Sequence, residues 1–362
     1  MINRLVLENL KHRPVRTLVS AVAIGVQVTL VLTLVGLSRG MVADMLQRMR
    51  GVGADVVIRP PNSSLFSFSS AFPAALLRVA RERPETQIAT GIFVYPIGGV
   101  NSVTGIDLAE FNAMSGGFHY LEGGPFRGPD DILVDNFYAA GNHLHAGDTI
   151  EVMNRKWRLA GIVEQGKMSR MFVDLAHLQD LTANTARLSS IYIKLRDPAQ
   201  TESVKAALKQ QLENYPVYSI AELTSLVTEA NVPMLRQFTD VVIGIGTLVG
   251  FLVVFLSMYT AVLERTREIG VLKALGASPA LVLQILMRET VLLALCGSAL
   301  GILMNYGARW MIAELVPTMI EAIVPGWWPI AAAISVVGAL CGALYPGLKA
   351  ARQDVIDALA YE

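Results

Sequence analysis

The chain has 362 residues, of which 53% are hydrophobic and only 17% are charged. A soluble domain carries about a quarter charged residues, so part of this chain is expected to lie outside water. The 30 basic and 30 acidic residues balance, which gives no support for a nucleic-acid partner, and two cysteines, both within apolar runs, argue against a disulfide framework or a cysteine-based metal site.

Four apolar stretches are long enough to cross a bilayer as helices, since a hydrocarbon core of about 30 Å needs roughly 20 apolar residues. They are residues 17–38, 239–263, 280–304 and 327–348. The first follows a basic segment at residues 1–16 and is longer than the apolar core of a cleaved signal peptide. It is therefore expected to remain as a membrane anchor.

Positive charges in the short flanks predict the orientation of these spans. Cytoplasmic flanks carry an excess of Lys and Arg, and here the basic residues concentrate in segments 1–16, 264–279 and 349–362. Both termini and the middle segment are therefore expected in the cytoplasm. Segment 39–238 and an outer loop at 305–326 then lie on the other side of the membrane.

Segment 39–238 predicts an inserted α+β domain with a helical stalk at each end. Strands are predicted at 54–59, 87–95, 132–135 and 190–195, a hairpin at 147–163, and helices at 74–83, 174–182, 201–212 and 219–238. A segment of about two hundred residues is ample for its own core. The predicted fold class is thus a four-helix membrane protein with a large α+β extracytoplasmic domain.

Three of the spans carry a pair of glycines four residues apart. The pairs are Gly246 with Gly250, Gly297 with Gly301, and Gly338 with Gly342. Such pairs let helix backbones approach closely in lipid, although glycine is also generally frequent in membrane helices. Close packing is the favoured interpretation, but the pattern does not say which helices pair.

Motifs for catalysis or metal binding are weak, so no catalytic residue and no metal site is predicted. Gly161, Gly166 and Lys167 have the spacing of a phosphate loop, but Met168 stands where a Ser or Thr must hold Mg²⁺. The alternating His143 and His145 near Asp148 are more typical of a solvated strand or turn than of a metal site.

Two further sets of residues are candidates for a functional role, and each also has an ordinary structural explanation. Phe66, Phe68 and Phe72 form an exposed contact for a substrate or partner, or they pack their loop onto the domain. Glu289 lies near or within the third span, where an ionisable side chain is a functional candidate, or it pairs with a neighbour at the interface.

The segment between the second and third spans is the most informative. Ile269, Leu272 and Leu275 recur near helical spacing, while residues 264–268 are rich in mixed charge. A short amphipathic helix at this place lies on the membrane surface or inserts into a groove of a soluble partner. The dense mixed charge favours the partner.

This segment resembles the signature of FtsX-like permeases, the membrane subunits of type VII ABC transporters with a MacB-like periplasmic core domain. The matching residues are Glu264, Arg265, Arg267, Glu268, Ile269, Gly270, Lys273, Ala274, Leu275, Gly276 and Ala277. Segments 9–18 and 53–60, the hairpin, and the stretch from Pro346 to 359 are also similar to the family. The resemblance covers essentially the whole chain.

The resemblance implies that residues 264–279, with Leu272 among the contacts, form a coupling helix that docks on a separate cytoplasmic ABC ATPase. ATP and Mg²⁺ would bind to that partner, and this chain would need no cofactor and perform no catalysis. Further implied partners are a second permease copy or a paralogue, membrane lipid, and a periplasmic adaptor or cargo. The implied location is the bacterial cytoplasmic (inner) membrane.

Three functions follow from the resemblance and the residues. The favoured one is the permease subunit of an ABC-type exporter or extractor, which transmits ATP-driven motion to its periplasmic domain. The second is mechanotransmission that regulates an envelope enzyme without transport. The third is a membrane-anchored extracytoplasmic enzyme.

Overall fold

The computed structural model describes residues 14–61, 70–98, 101–227, 233–264 and 266–352. The chain divides into two compact units. The helical unit comprises Met1–Gly40, Pro233–Glu314 and Glu321–Glu362, and the sheet unit comprises Met41–Val232 and Leu315–Ile320.

The described residues form the following elements in chain order. The helices are α1 (Pro14–Arg50), α2 (Leu76–Arg81), α3 (Leu108–Ser115), α4 (Asn136–Gly141), α5 (Leu175–Leu181), α6 (Thr201–Gln211), α7 (Ile220–Leu226), α8 (Pro233–Glu264), α9 (Thr266–Ala274), α10 (Pro279–Leu315) and α11 (Trp328–Arg352). The strands are β1 (Val56–Ile58), β2 (Phe72–Pro73), β3 (Thr86–Gly98), β4 (Asn101–Ile106), β5 (Tyr120–Gly123), β6 (Asp131–Asp135), β7 (Thr149–Val152), β8 (Arg155–Val163), β9 (Met171–Asp174), β10 (Arg187–Leu188), β11 (Ser190–Leu195) and β12 (Val217–Ser219). Short 3₁₀ turns lie at Pro198–Gln200 and Pro325–Trp327.

Four helices within the described residues are long and apolar enough to cross a membrane by length and composition. Their apolar helical stretches are Thr17–Arg50, Asp240–Glu264, Pro279–Leu315 and Pro325–Arg352. The predicted fold class, four apolar helices with a large mixed α/β domain, is confirmed. The first part of the predicted outer loop over 305–326 is helical, because α10 continues to Leu315. Hydropathy marks the end of an apolar stretch, and a helix can continue beyond that point as a more polar one.

Glycines bring the backbones of the long helices together within the helical unit. A Cβ atom built on Gly301 would lie 2.6 Å from the carbonyl oxygen of Gly25, so only glycine fits between α1 and α10 at this crossing. On the other pair of helices, a Cβ atom on Gly342 of α11 would lie 2.7 Å from the carbonyl oxygen of Phe251 of α8. These contacts provide the partners that the glycine pattern alone leaves open.

The other glycines of the three sequence pairs differ in how closely they approach a neighbouring helix. A Cβ atom on Gly297 would lie 2.7 Å from Cβ of Ile24, and one on Gly250 would overlap the side chain of Gln27. At Gly246 and Gly338 the nearest atoms would be 3.8 Å and 3.7 Å away, which is ordinary van der Waals contact. The tight approaches are therefore those of α1 with α10, α1 with α8, and α8 with α11.

The sheet unit is built on one mixed sheet with the strand order β12-β1-β11-β3-β4-β9-β6-β8-β5, in which β7 pairs with β8. The pairs β4–β9 and β6–β8 are parallel, and the other pairs are antiparallel. Strands β2 and β10 form a separate two-stranded ladder. Buried aliphatic and aromatic side chains cover the faces of the main sheet, with Trp157, Phe111 and Phe172 the largest of them.

Local sequence signals explain several of these elements. The predicted hairpin turns at Met153 and Asn154, whose φ angles of 60° and 56° are left-handed, as a two-residue turn between twisted strands requires. Asp174 caps α5, since its carboxylate accepts a hydrogen bond of 2.9 Å from the backbone N–H of His177. The indole Nε1 of the buried Trp157 donates to the carbonyl oxygen of Val152 at 3.0 Å.

The prediction of one helix over 219–238 is wrong. Helix α7 ends at Leu226, and Val227 has the non-helical angles φ −84° and ψ 85°. The next helix, α8, begins at Pro233, because proline lacks the backbone N–H that a helix interior needs but is favoured in the first turn. Residues 228–232 lie outside the described residues.

We expect Gly301→Ala to destabilise the protein and Gly307→Ala, in the same helix, to leave it intact. The added methyl group at position 301 meets the backbone of α1, and overpacking of this kind costs about 1–3 kcal/mol. A Cβ atom on Gly307 meets no atom within 4 Å, and alanine is about 1 kcal/mol better than glycine in a helix. Thermal unfolding of both variants in detergent measures the difference; equal melting temperatures would contradict the close crossing.

Candidate functional site

The segment that follows α8 forms a helix and then a tight turn. Helix α9 begins directly after the end of α8, and the Thr266 hydroxyl donates to the carbonyl oxygens of Val262 and Leu263, each at 3.0 Å. This pair of hydrogen bonds ties the start of α9 to the last turn of α8. Arg265 lies outside the described residues, and only the backbone of Arg267 and Glu268 is described.

Helix α9 ends in a Schellman motif centred on Gly276. The N–H of Ala277 donates to the carbonyl oxygen of Leu272 and the N–H of Gly276 to that of Lys273, both at 3.0 Å. Gly276 has a φ of 95°, which only glycine adopts without strain. The glycine of the sequence motif is therefore the residue that stops the helix.

The next helix, α10, starts three residues after Gly276, because the sequence Ser278-Pro279 favours a helix start. The N–H of Leu281 donates to the hydroxyl of Ser278 at 3.2 Å, which is the contact of a helix cap. Pro279 is the first residue of α10, where its missing N–H and fixed φ are favourable. The helix end at Gly276 and the helix start at Ser278 together define a short turn between α9 and α10.

One face of α9 packs on the helical unit and the other is exposed. Ile269 is buried in the apolar core of the helical unit, and Gly270 is also buried. Val271 is 46% exposed and Leu275 is 81% exposed. We name Val271 and Leu275 the apolar tip.

A basic side chain joins α9 to the end of α11. The Nζ of Lys273 donates to the carbonyl oxygen of Ala351 at 3.0 Å. Of the predicted contact residues, Lys273 and Leu272 are thus half-buried, whereas Glu264, Leu275 and Gly276 are exposed.

Of the three phenylalanine candidates, one lies within the described residues. Phe66 and Phe68 lie outside the described residues. Phe72 is only 2% exposed, and its ring centre lies 5.7 Å from that of Tyr215. The interpretation of Phe72 as an exposed contact is therefore wrong, because the side chain packs inside the domain.

The weak motifs turn out to be structural turns. The N–H of His145 donates to the carboxylate of Asp148 at 2.7 Å, and no group of three potential metal ligands occurs in the part of the chain that the structure describes. Lys167 donates to the carbonyl oxygen of Ser115 rather than facing an open phosphate loop. Glu289 is buried within α10.

Four charged side chains that the sequence did not single out meet inside the sheet unit. On α1, Arg48 Nε lies 2.9 Å from Asp44 Oδ2, and Arg48 Nη2 lies 3.5 Å from Asp135 Oδ2 at the end of β6. Arg170, which precedes β9, places its Nη2 3.6 Å from Asp44 Oδ2. We call Asp44, Arg48, Asp135 and Arg170 the charge quartet.

Burial shifts the proton equilibria within the charge quartet. Burial raises the pKa of the Asp135 carboxyl, although the N–H of Tyr138 and the nearby Arg48 favour its charged form. Burial also lowers the pKa of the Arg170 guanidinium, and the adjacent Arg48 acts in the same direction. For Asp135 and Arg170, the opposite charges beside them therefore offset part of the cost of burying a charge.

Two family descriptions match the sequence. The MacB-like periplasmic core domain matches residues 17–211, and the FtsX-like permease C-terminal domain matches residues 241–355. The second match contains the whole of α9 and the apolar tip.

Individual relatives agree with these matches. The chain is 24% identical over 396 residues to the macrolide export ATP-binding/permease protein MacB of Escherichia coli, covering 99% of this chain and 60% of that protein. It is 25% identical over 234 residues to an uncharacterized ABC transporter permease of Methanocaldococcus jannaschii, covering 60% of this chain and 58% of that one. The chain therefore spans about 60% of the length of these curated relatives.

Solved structures are similar over about half of the chain. The periplasmic region of MacB from Actinobacillus actinomycetemcomitans gives a TM-score of 0.37 at 14% identity, covering 51% of this chain and 97% of that one. The extracellular domain of the ABC-type transporter YknZ from Gram-positive bacteria gives 0.35 at 13% identity, covering 46% and 98%.

We expect Gly276→Val to unwind the end of α9 and Gly276→Asn to preserve most of it. A left-handed conformation costs a residue with a Cβ atom about 1–2 kcal/mol, and asparagine tolerates it better than valine. Hydrogen exchange of the Ala277 amide reports the result, because this amide donates to Leu272 across the turn. Undiminished protection in the valine variant would contradict the motif.

Proposed function

The chain belongs to the family of FtsX-like permeases with a MacB-like periplasmic core domain, and we propose that it is the membrane subunit of an ABC-type exporter or extractor driven by a separate ATPase. The observation that carries this proposal is the apolar tip, which lies on a capped helix between two apolar spans. An exposed leucine at such a place would otherwise be solvated at a cost. A complementary groove on a cytoplasmic ATPase would remove it from water.

Docking would use both the apolar tip and the charges around it. Burying a leucine side chain contributes about 1.5–3 kcal/mol, and the exposed Glu264 with Arg265 and Arg267 would orient the contact. ATP with Mg²⁺ would bind and react on the ATPase. This chain would move only because the docked tip interacts differently with the two nucleotide states of its partner.

The structure supports the proposal because α9 is attached to three of the long helices. Thr266 joins it to α8, Lys273 joins it to α11, and the turn at Ser278 joins it to α10. A displacement of the tip would therefore move α8, α10 and α11 as a group. Within the same unit, α10 packs against α1 at the glycine crossing.

We also propose the orientation and the assembly. The apolar tip and both termini would lie in the cytoplasm, and the sheet unit would lie outside the cytoplasmic (inner) membrane of a bacterium. A second copy of the chain or a paralogue would complete the permease, and a cargo or periplasmic adaptor would meet the sheet unit. The Escherichia coli relative is described as a macrolide exporter; for this chain the cargo class stays open.

Mechanotransmission to an envelope enzyme is the second candidate, favoured by one feature. Helix α1 runs without interruption from Pro14 to Arg50, so it extends well beyond the roughly 20 residues that a bilayer needs. A continuous helix of this length suits mechanical transmission as well as transport. Accumulation of a substrate in cells lacking the protein favours export, and loss of an envelope hydrolase activity favours signalling.

We expect Leu275→Glu to abolish co-purification of an ABC ATPase with the tagged, detergent-solubilised protein. The charge would have to be desolvated in an apolar groove, which weakens binding. Leu121→Glu is the matched control, because Leu121 is also exposed, at 52%, but lies on β5 of the sheet unit. Mass spectrometry of the purified complexes gives the answer; retention of the ATPase by Leu275→Glu would contradict docking at the tip.

We expect residues 275 and 121 to be labelled from opposite sides of the membrane. Leu275→Cys and Leu121→Cys are made separately in a background where Cys296 and Cys341 are replaced by alanine. A membrane-impermeant maleimide added to spheroplasts should label position 121 at once and position 275 only after permeabilisation. The reverse pattern would overturn the proposed orientation.

A further inference from the structure

The segment Leu315–Ile320, which begins with the last residue of α10, belongs to the sheet unit. The Nη2 of Arg170 donates to the carbonyl oxygen of Thr318 at 2.9 Å. On the other side, a Cβ atom on Gly141 would lie 3.5 Å from Thr318 Cγ2 and 3.9 Å from Pro317 Cδ. A charged donor and an apolar contact thus hold the same short segment.

Arg170 is well placed to hold this segment because its own position is fixed. Its backbone carbonyl oxygen accepts a hydrogen bond of 2.8 Å from the N–H of Asp135, and its guanidinium faces Asp44 of α1 in the charge quartet. The guanidinium therefore touches both the end of α1 and Thr318. A hydrogen bond from a charged donor, largely shielded from water, is among the stronger ones in a protein.

The residues that follow are held in the helical unit instead. The N–H of Ala322 donates to the carbonyl oxygen of Gly36 at 2.9 Å. The amide of Asn305 donates to Glu321 Oε1 at 2.8 Å and to Thr33 Oγ1 at 2.9 Å. Glu321 is buried, so this attachment to α1 and α10 is shielded from water.

We propose that residues 315–322 form a coupling strap, and that Arg170 is the positioning residue that docks it on the sheet unit. The strap would be a third covalent route by which motion of the long helices reaches the sheet unit, besides the two places where the chain enters and leaves that unit. It would carry displacements of α10 and α11 to Arg170 and from there to the charge quartet. The docking stands on the contacts above, whereas its use in ATP-driven motion rests on the proposed function.

Disulfide cross-linking tests the docking independently of any ATPase. Gly141→Cys and Thr318→Cys are introduced together, with Cys296 and Cys341 replaced by alanine, since the contact is short enough for a disulfide. Mild oxidation should join the two positions, as detected by mass spectrometry of peptides with and without reductant. Absence of the disulfide would overturn the docking.

The rate of cross-linking then tests the role of Arg170. Arg170→Ala should slow disulfide formation about tenfold, the order expected for loss of one hydrogen bond from a charged donor. Arg158→Ala is the matched control, because Arg158 pairs with Asp131 on the same unit without contacting the strap. Equal rates in the two variants would contradict the assignment of Arg170.

Activity measurements in the complex with the ATPase test transmission. Arg170→Ala should keep ATPase binding and basal hydrolysis but lose the response of hydrolysis to cargo or adaptor on the sheet unit, and Arg158→Ala should keep all three. Pro317→Gly with Thr318→Gly, which softens the strap and leaves the charge quartet whole, should reproduce the loss. A normal response in both strap variants would refute transmission and leave the proposed function standing. Absence of ATPase binding by the unmodified chain would refute the proposed function. In that case the cross-linking would still decide whether the strap docks on the sheet unit.

Discussion

The close crossing of α1 and α10 is the contact on which the other features of the helical unit depend. Lipid is as apolar as the helices, so nothing but packing and hydrogen bonding holds helices together in a bilayer. Glycines at 25, 297 and 301 allow the two backbones to approach, and Thr29 of α1 donates across the crossing to the carbonyl oxygen of Gly301 at 2.9 Å. The crossing thus combines close backbone packing with a hydrogen bond between the same two helices.

Helix α10 lies between the apolar tip and the proposed coupling strap. Its first residue follows the turn that ends α9 and presents the apolar tip, and its last residue opens the segment that Arg170 holds. A rigid helix with defined contacts at both ends can pass a displacement along its axis without changing its own structure. Transmission of the proposed kind would need no catalytic group in the chain.

Sequence reasoning predicted the features that depend on local chemistry. Hydropathy located the four apolar helices, and Asp174 marked the start of α5. The hairpin over 147–163 was also predicted, with its turn at Asn154 and Arg155, one residue later than the structure has it. It did not predict which helices the glycines bring together. Three spans carry a pair of glycines four residues apart, and Gly25 has no glycine at that spacing. The parallel pairing of β4 with β9 was also not predicted. Nor was the charge quartet, because Asp44, Asp135 and Arg170 are far apart in sequence and only the fold brings them together. For Phe72 the sequence left exposure and packing open, and its burial decides for packing.

The central claim is that nucleotide turnover on a cytoplasmic partner moves the sheet unit. The most direct measurement is the distance between spin labels at Leu121→Cys in the two permease subunits of the purified complex, in lipid nanodiscs and a cysteine-free background, with the ATPase nucleotide-free and then trapped with ATP. The account predicts two different distance distributions, and a return to the first after hydrolysis and release. One unchanged distribution, while the ATPase binds and hydrolyses ATP normally, would contradict it.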